Sequence, residues 1–101
     1  MQTQEELRAL TESILLTSKT WLGSEEKLQS LGVELFSAEM RAVVWANLRD
    51  GSVDAQIDAL KAFEEVRECY ADELGIELHF GEFDFMNSRR SVAVESLQFA
   101  R

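Results

Sequence analysis

The chain has 101 residues, a single cysteine, a single histidine and a net charge of −9 at pH 7. This length can bury a core without covalent crosslinks, so we expect one domain over residues 1–101. One cysteine, Cys69, excludes an internal disulfide and a cysteine-rich zinc site, and one histidine, His79, excludes any site that needs two imidazoles.

The first residues are polar and acidic, whereas a signal peptide begins with basic residues and continues with an apolar run. No stretch approaches the roughly 18 apolar residues that a membrane span requires. We therefore expect a cytoplasmic protein that does not enter a membrane.

Glycines and hydroxyl side chains divide the first three quarters of the chain into four predicted helices. Each helix is followed by a glycine, the residue that favours a left-handed helix stop: Gly23, Gly32, Gly51 and Gly75. Each begins at a residue suited to N-capping: Thr3, Ser24, Ser37 and Ser52. The predicted helices cover about 3–22, 24–31, 37–50 and 52–74.

In the first predicted helix, an apolar stripe is formed by Leu7, Leu10, Ile14 and Trp21. Leu15 and Leu16 fall outside this stripe, on the polar side. A neighbouring element or a second chain covering the helix would account for them, although scattered exposed leucines are common.

The third predicted helix carries a possible interface. Its apolar side comprises Phe36, Met40, Val43, Val44 and Leu48, and Arg41, Trp45 and Arg49 follow one another at i, i+4 and i+8 on the reverse side. Tryptophan and arginine are enriched in binding hot spots, so these three residues are a candidate second interface that would form a homo-dimer. The alternative is a helix buried on two sides, in which Trp45 fills part of the core.

The fourth predicted helix has the clearest pattern. Its apolar side consists of Ile57, Leu60, Phe63, Val66, Tyr70 and Leu74. The opposite side carries five acids, called here the acidic ridge: Asp54, Asp58, Glu65, Glu68 and Asp72. The ridge is either an ordinary solvated surface or a docking surface for arginine and lysine side chains of a partner.

The charge of the whole chain points to the same region. Residues 50–84 contain eleven acids against only Lys61 and Arg67, which accounts for the entire net charge. A surface of one sign steers association with an oppositely charged partner, so we expect a partner protein with a basic surface. Direct nucleic-acid binding is disfavoured because the only basic cluster is Arg89 with Arg90.

After Gly75 the pattern alternates between apolar and polar residues. Residues 76–80 and 83–85 flank Gly81-Glu82, which predicts a β-hairpin with a glycine-first turn. On the polar face of that hairpin, His79 would be an ordinary surface residue beside Asp84. The final segment, 88–101, fits a short helix slightly better than a third strand.

The residues give no catalytic arrangement. His79 with Cys69 is the one conceivable nucleophilic pair, and nothing in the sequence links the two. Cys69 alone is expected to be a small, partly buried apolar residue. We find no spacing typical of a metal or phosphate site, so we expect no enzyme activity, metal or cofactor.

The predicted fold is mainly α, within the α+β class: a compact four-helix domain with a small C-terminal β-hairpin and a short final helix. Acidic, helix-rich chains of this size occur among bacterial immunity proteins, antitoxins and phage inhibitors, a likeness of size and charge alone. The leading functional hypothesis is a non-enzymatic module that occupies a basic surface of a partner protein to inhibit or regulate it. The alternatives are a homo-oligomeric scaffold subunit, a nucleic-acid mimic and a small hydrolase.

Overall fold

A computed structural model describes residues 3–23, 27–81 and 93–98. Within these residues there are two helices, α1 (Gln4–Leu22) and α2 (Val53–Tyr70). There are also four strands: β1 (Leu28–Phe36), β2 (Arg41–Leu48), β3 (Gly75–Phe80) and β4 (Ala93–Gln98). A short 3-10 turn, Ser37–Glu39, connects β1 to β2.

The four described strands form one sheet in the order β3-β2-β1-β4. β1 pairs antiparallel with β2 on one side and with β4 on the other. β2 and β3 are parallel, and α2 is the connection between them. This arrangement places α2 next to β3 at one edge of the sheet.

One face of the sheet carries the hydrophobic core. Register places Val33 of β1 opposite Val44 of β2, and alternate residues on either side of that pair point the same way. These buried residues are Leu31, Val33, Leu35, Ala42, Val44 and Ala46. Ile76 of β3 extends the same layer, because it pairs with Ala42.

Both helices cover this face. α1 packs against β1, β4 and α2, and α2 packs against α1 and β3. Ile14 of α1 and Phe63 of α2 are among the largest fully buried side chains. The two helices are also joined by the Tyr70 hydroxyl, which lies 2.7 Å from Ser13 Oγ and 3.2 Å from Thr17 Oγ1.

Local signals fix the ends of α1. Thr3 Oγ1 accepts a hydrogen bond from the backbone amide of Glu6 at 3.1 Å, as an N-cap does. Gly23 follows the last turn with φ 104°, a left-handed conformation that side chains other than glycine rarely adopt. The predicted first helix, 3–22, therefore agrees closely with α1.

The predicted four-helix domain is wrong, and the α+β class is retained. The second and third predicted helices, 24–31 and 37–50, are replaced in the described residues by β1 and β2. Almost every residue of β1 is buried, so the alternation that marks a strand is hidden and its apolar run resembles a helical pattern. Gly32 does not end a helix; it lies within β1, directly opposite Trp45.

The C-terminal predictions have mixed outcomes. The first half of the predicted hairpin is present as β3, which pairs in parallel with β2. The second half, 83–85, lies outside the described residues. The preferred final helix over 88–101 is wrong for 93–98, which form β4, and the rest of that segment lies outside the described residues.

Candidate functional site

The start of α2 is set by the short turn after β2. The Asp50 side chain accepts a hydrogen bond from the backbone amide of Ser52 at 2.9 Å, and Ser52 Oγ accepts one from Ala55 at 3.2 Å. The side chain of Ser52 thereby satisfies an amide that would otherwise be free at the helix start. α2 therefore begins at Val53, close to the predicted start at 52.

The acidic ridge is exposed on the folded chain. Asp54, Asp58, Glu65 and Glu68 fall along one side of α2 at about 100° per residue, and Asp72 lies in the turn after the helix. All five are exposed. Within the described residues, none of the five forms an ion pair.

One base interrupts the ridge. Lys61 lies between Asp58 and Glu65 on the same side of α2 and is exposed. It divides the ridge into an N-terminal pair, Asp54 with Asp58, and a C-terminal group of three. Because one lysine stands against five carboxylates, the side remains strongly acidic.

The neighbouring arginines are engaged elsewhere. Arg67 donates to Glu64 at 3.2 Å and to the backbone carbonyl of Ile76 at 3.2 Å. Arg41 donates to Glu39 at 3.0 Å and to Glu77 at 3.3 Å. Neither guanidinium therefore neutralises the acidic ridge.

The buried side of α2 differs in part from the prediction. Phe63, Val66 and Tyr70 are buried as expected, together with Ala59. Ile57 and Leu60 are 42% and 43% exposed, because the helix turns its Ala59–Val66 side towards the core. The acidic ridge still projects away from the sheet.

The proposed second interface does not form as predicted. Arg41 and Trp45 lie on β2, on the sheet face opposite the helices, so the i, i+4, i+8 helical alignment is absent. Arg49 follows the end of β2 and lines a different surface, a cleft near the helices. The three residues are therefore not one patch.

Trp45 belongs to a polar cluster on that sheet face. Its indole nitrogen donates to Glu34 Oε1 at 2.7 Å, and its ring centroid lies 4.9 Å from that of His79. Glu34 is only 8% exposed, and His79 is 3.3 Å from Glu77. Sequence patterns missed this cluster because its members come from three strands.

The cleft near the helices was also missed. It has a volume of about 410 Å³ and lies between the end of α1, the end of β2 and the first turns of α2. Its apolar lining includes Leu22, Leu48 and Ala59. Trp21, which the stripe of α1 predicted to be buried, is 46% exposed and lines one side.

The two remaining candidate groups, Cys69 and His79, are not brought together in the described residues. Cys69 is exposed and free, which corrects the expectation of a partly buried thiol. His79 contacts Trp45 and Glu77 rather than Cys69. Among the described residues there is no cluster of three or more potential metal ligands.

Comparison of the chain with protein-family models, with curated proteins and with solved structures found no match. Among the described residues, neither helix has the length and apolar character needed to cross a membrane.

Proposed function

We propose that this chain is a non-enzymatic cytoplasmic protein that uses the acidic ridge of α2 to cover a basic surface on another protein. The observation that carries the proposal is the exposure of all five ridge carboxylates without an ion pair in the described part of the chain. The mechanism is occlusion: the partner's functional surface is blocked or regulated while the ridge is bound. No cofactor is needed.

Like charges along the ridge lower the stability of α2. Asp54 and Asp58 are four residues apart, and Glu65 and Glu68 are three apart, so like charges are neighbours on the helix surface. Glu68 also lies near the C-terminal end of α2, where the helix dipole favours cations. Lys61 offsets part of the repulsion beside Asp58 and Glu65, and a partner that supplies positive charge would relieve the remainder.

Small size and high negative charge fit a bacterial or phage protein of the immunity, antitoxin or inhibitor type. Such proteins act by steered association, in which a surface of one sign accelerates the encounter with a partner of the other sign. The proposal therefore requires binding that weakens as salt increases.

The test is reversal of charge on the ridge. The triple variant Asp58→Lys, Glu65→Lys, Asp72→Lys should keep the circular dichroism spectrum of the wild type, because all three side chains are exposed. It should lose capture of the partner from a lysate of the source cell. Unchanged capture by a folded triple variant would refute the proposal.

Salt provides a second measure of the same interaction. The Debye length falls from about 10 Å at 0.1 M to about 3 Å at 1 M salt, so a ridge-dependent partner should be released at the higher concentration. Retention that is independent of salt would indicate that apolar contacts, rather than the ridge, hold the partner.

Nucleic-acid mimicry is a specific form of this proposal, in which ridge carboxylates replace backbone phosphates. A captured partner that releases the chain when DNA or RNA is added would support mimicry. A partner without a nucleic-acid site would exclude it and leave simple occlusion.

The homo-oligomeric scaffold stays a prediction, but the helical interface on which it relied is absent. It depended on Arg41, Trp45 and Arg49 sharing one side of a helix, and these residues lie on or beyond β2. Light scattering of the wild type and of Trp45→Ala would test it: a wild-type monomer at high concentration removes the hypothesis.

A further inference from the structure

We infer that an exposed apolar surface of α2 binds an amphipathic, basic helix of the partner protein. This surface, called here the α2 stripe, consists of Val53, Ile57 and Leu60, which are 69%, 42% and 43% exposed. The inference rests on the proposed function and specifies the kind of partner segment that meets the acidic ridge.

The three side chains of the α2 stripe are neighbours on the helix surface. They are spaced at i, i+4 and i+7, so at about 100° per residue they fall within about 60° of one another. Single exposed apolar residues need no explanation, whereas an aligned apolar surface with a polar rim is typical of an interaction site. The α2 stripe therefore adds an apolar contact to a surface that otherwise attracts a partner by charge.

Charge favours a basic occupant over a second copy of the chain. α2 carries five acids against two bases, and the acidic ridge adjoins the α2 stripe: Glu68 and Asp54 lie about 20° and 60° from Ile57 around the helix. Two copies that met at the α2 stripe would bring two acidic ridges together, and like charges across an interface oppose association. A basic partner segment meets opposite charge along one side of the α2 stripe.

The neighbouring edge of the described sheet favours a helix over a strand as the occupant. Arg67 donates to the backbone carbonyl of Ile76 in β3 at 3.2 Å, which occupies an acceptor that an added strand would need at this edge. A helix needs no backbone partner, because its apolar side chains at i, i+3 or i+4 and i+7 pack along those of α2. Arg67 also pairs with Glu64, so its charge is partly offset.

Lys61 restricts the positions of the partner's bases. It follows Ile57 by four residues on the ridge side of α2, and its charge disfavours a partner base at that level. The partner's bases should therefore lie next to Asp54 and next to Glu68, with apolar residues between them over the α2 stripe. Those two acids are separated by about 20 Å along the helix axis, so the partner helix should span about four turns.

The test uses two model peptides of about five helical turns and equal charge, titrated at low salt into the full chain and followed by two-dimensional NMR. One contains leucine and lysine at helical spacing, and in the other each leucine is replaced by alanine. Both should shift the backbone amides of Glu65 and Glu68. Only the leucine–lysine peptide should also shift the methyl signals of Ile57 and Leu60, and it should bind about tenfold more tightly because it buries them.

Leu60→Gln should reduce this preference to about threefold, and the addition of Ile57→Gln should abolish it, while binding of the alanine–lysine peptide stays unchanged. The matched control is Leu16→Gln, since Leu16 is 49% exposed and lies on α1, outside the α2 stripe. This control should keep the full preference. Circular dichroism checks the fold of each variant, and Ile57→Gln alone provides the same test if Leu60→Gln does not fold.

Equal affinity of the two peptides, or a preference that survives these substitutions in a folded chain, overturns the helix-binding stripe. The proposed function then stands, provided that Glu65 and Glu68 still respond to both peptides. If neither peptide shifts those ridge amides, both the helix-binding stripe and the proposed function are contradicted.

Discussion

Two hydroxyl side chains on the buried side of α1 differ in their hydrogen bonding. Thr11 Oγ1 donates to the carbonyl of Leu7 at 2.7 Å, whereas Ser18 Oγ is buried and has no hydrogen-bond partner in the described part of the chain. A buried polar atom without a partner loses its hydration without compensation. Ser18 is therefore a local source of instability.

Replacement of this serine should stabilise the protein. We expect Ser18→Ala to raise the free energy of unfolding by about 1 kcal/mol, because it removes the unpaired hydroxyl and alanine has the higher helix propensity. Urea denaturation measures the change. Thr11→Val is the control and should lower stability, since it removes a hydroxyl that is paired; a loss of stability in Ser18→Ala would show that its hydroxyl is satisfied in solution.

The two helices are joined by apolar packing and by one hydroxyl group. The Tyr70 hydroxyl, near the end of α2, contacts Ser13 and Thr17 of α1. Since α2 carries the acidic ridge, this contact helps to fix the helix on which the ridge is displayed.

Tyr70→Phe should lower the free energy of unfolding by about 1 kcal/mol, the usual net value of a partly buried hydrogen bond. A double-mutant cycle with Ser13→Ala should give a coupling energy of about 0.5 kcal/mol or more, because the shorter of the two contacts is to Ser13. Strictly additive effects would mean that the two hydroxyls do not interact.

The helices could be predicted because their signals are local. Thr3 and Ser52 cap the starts of α1 and α2, and Gly23 ends α1, so these three boundaries are encoded within a few residues. The predicted end of the last helix at 74 is wrong, because α2 ends at Tyr70 and Gly75 begins β3. The strands depend on distant partners: β1 pairs with β2 and β4 and is buried along nearly its whole length. Its apolar run therefore has no period that separates strand from helix.

The same distinction applies to the site. The alignment of the acidic ridge follows from helical periodicity alone, so the sequence predicts it. The cleft requires the end of α1 to meet the start of α2, and no local pattern brings Trp21 close to Asp54. The second predicted interface failed because it assumed a helical period in residues that form β2.

Partner binding is expected to depend on where the charge lies on the molecule rather than on the total charge. Lys61 is the one base within the acidic ridge, at its middle. Its removal should make the ridge continuous and increase attraction for a basic partner.

We expect Lys61→Gln to strengthen partner binding about two- to fivefold at low salt, because an exposed charge contributes up to about 1 kcal/mol. Ala9→Glu, an exposed position on α1, changes the net charge by the same amount away from the ridge and should have a much smaller effect. Titration of the captured partner against both variants measures this, and equal gains would show that only total charge matters.

Two charge-matched variants distinguish binding at the acidic ridge from attraction by the net charge of the chain. Glu65→Lys with Asp72→Lys alters the ridge, and Glu5→Lys with Glu12→Lys makes the same charge change on exposed positions of α1. Side-by-side capture of the partner at low salt should be lost in the ridge variant and retained in the α1 variant. Equal retention by both folded variants would show that the partner does not bind the ridge.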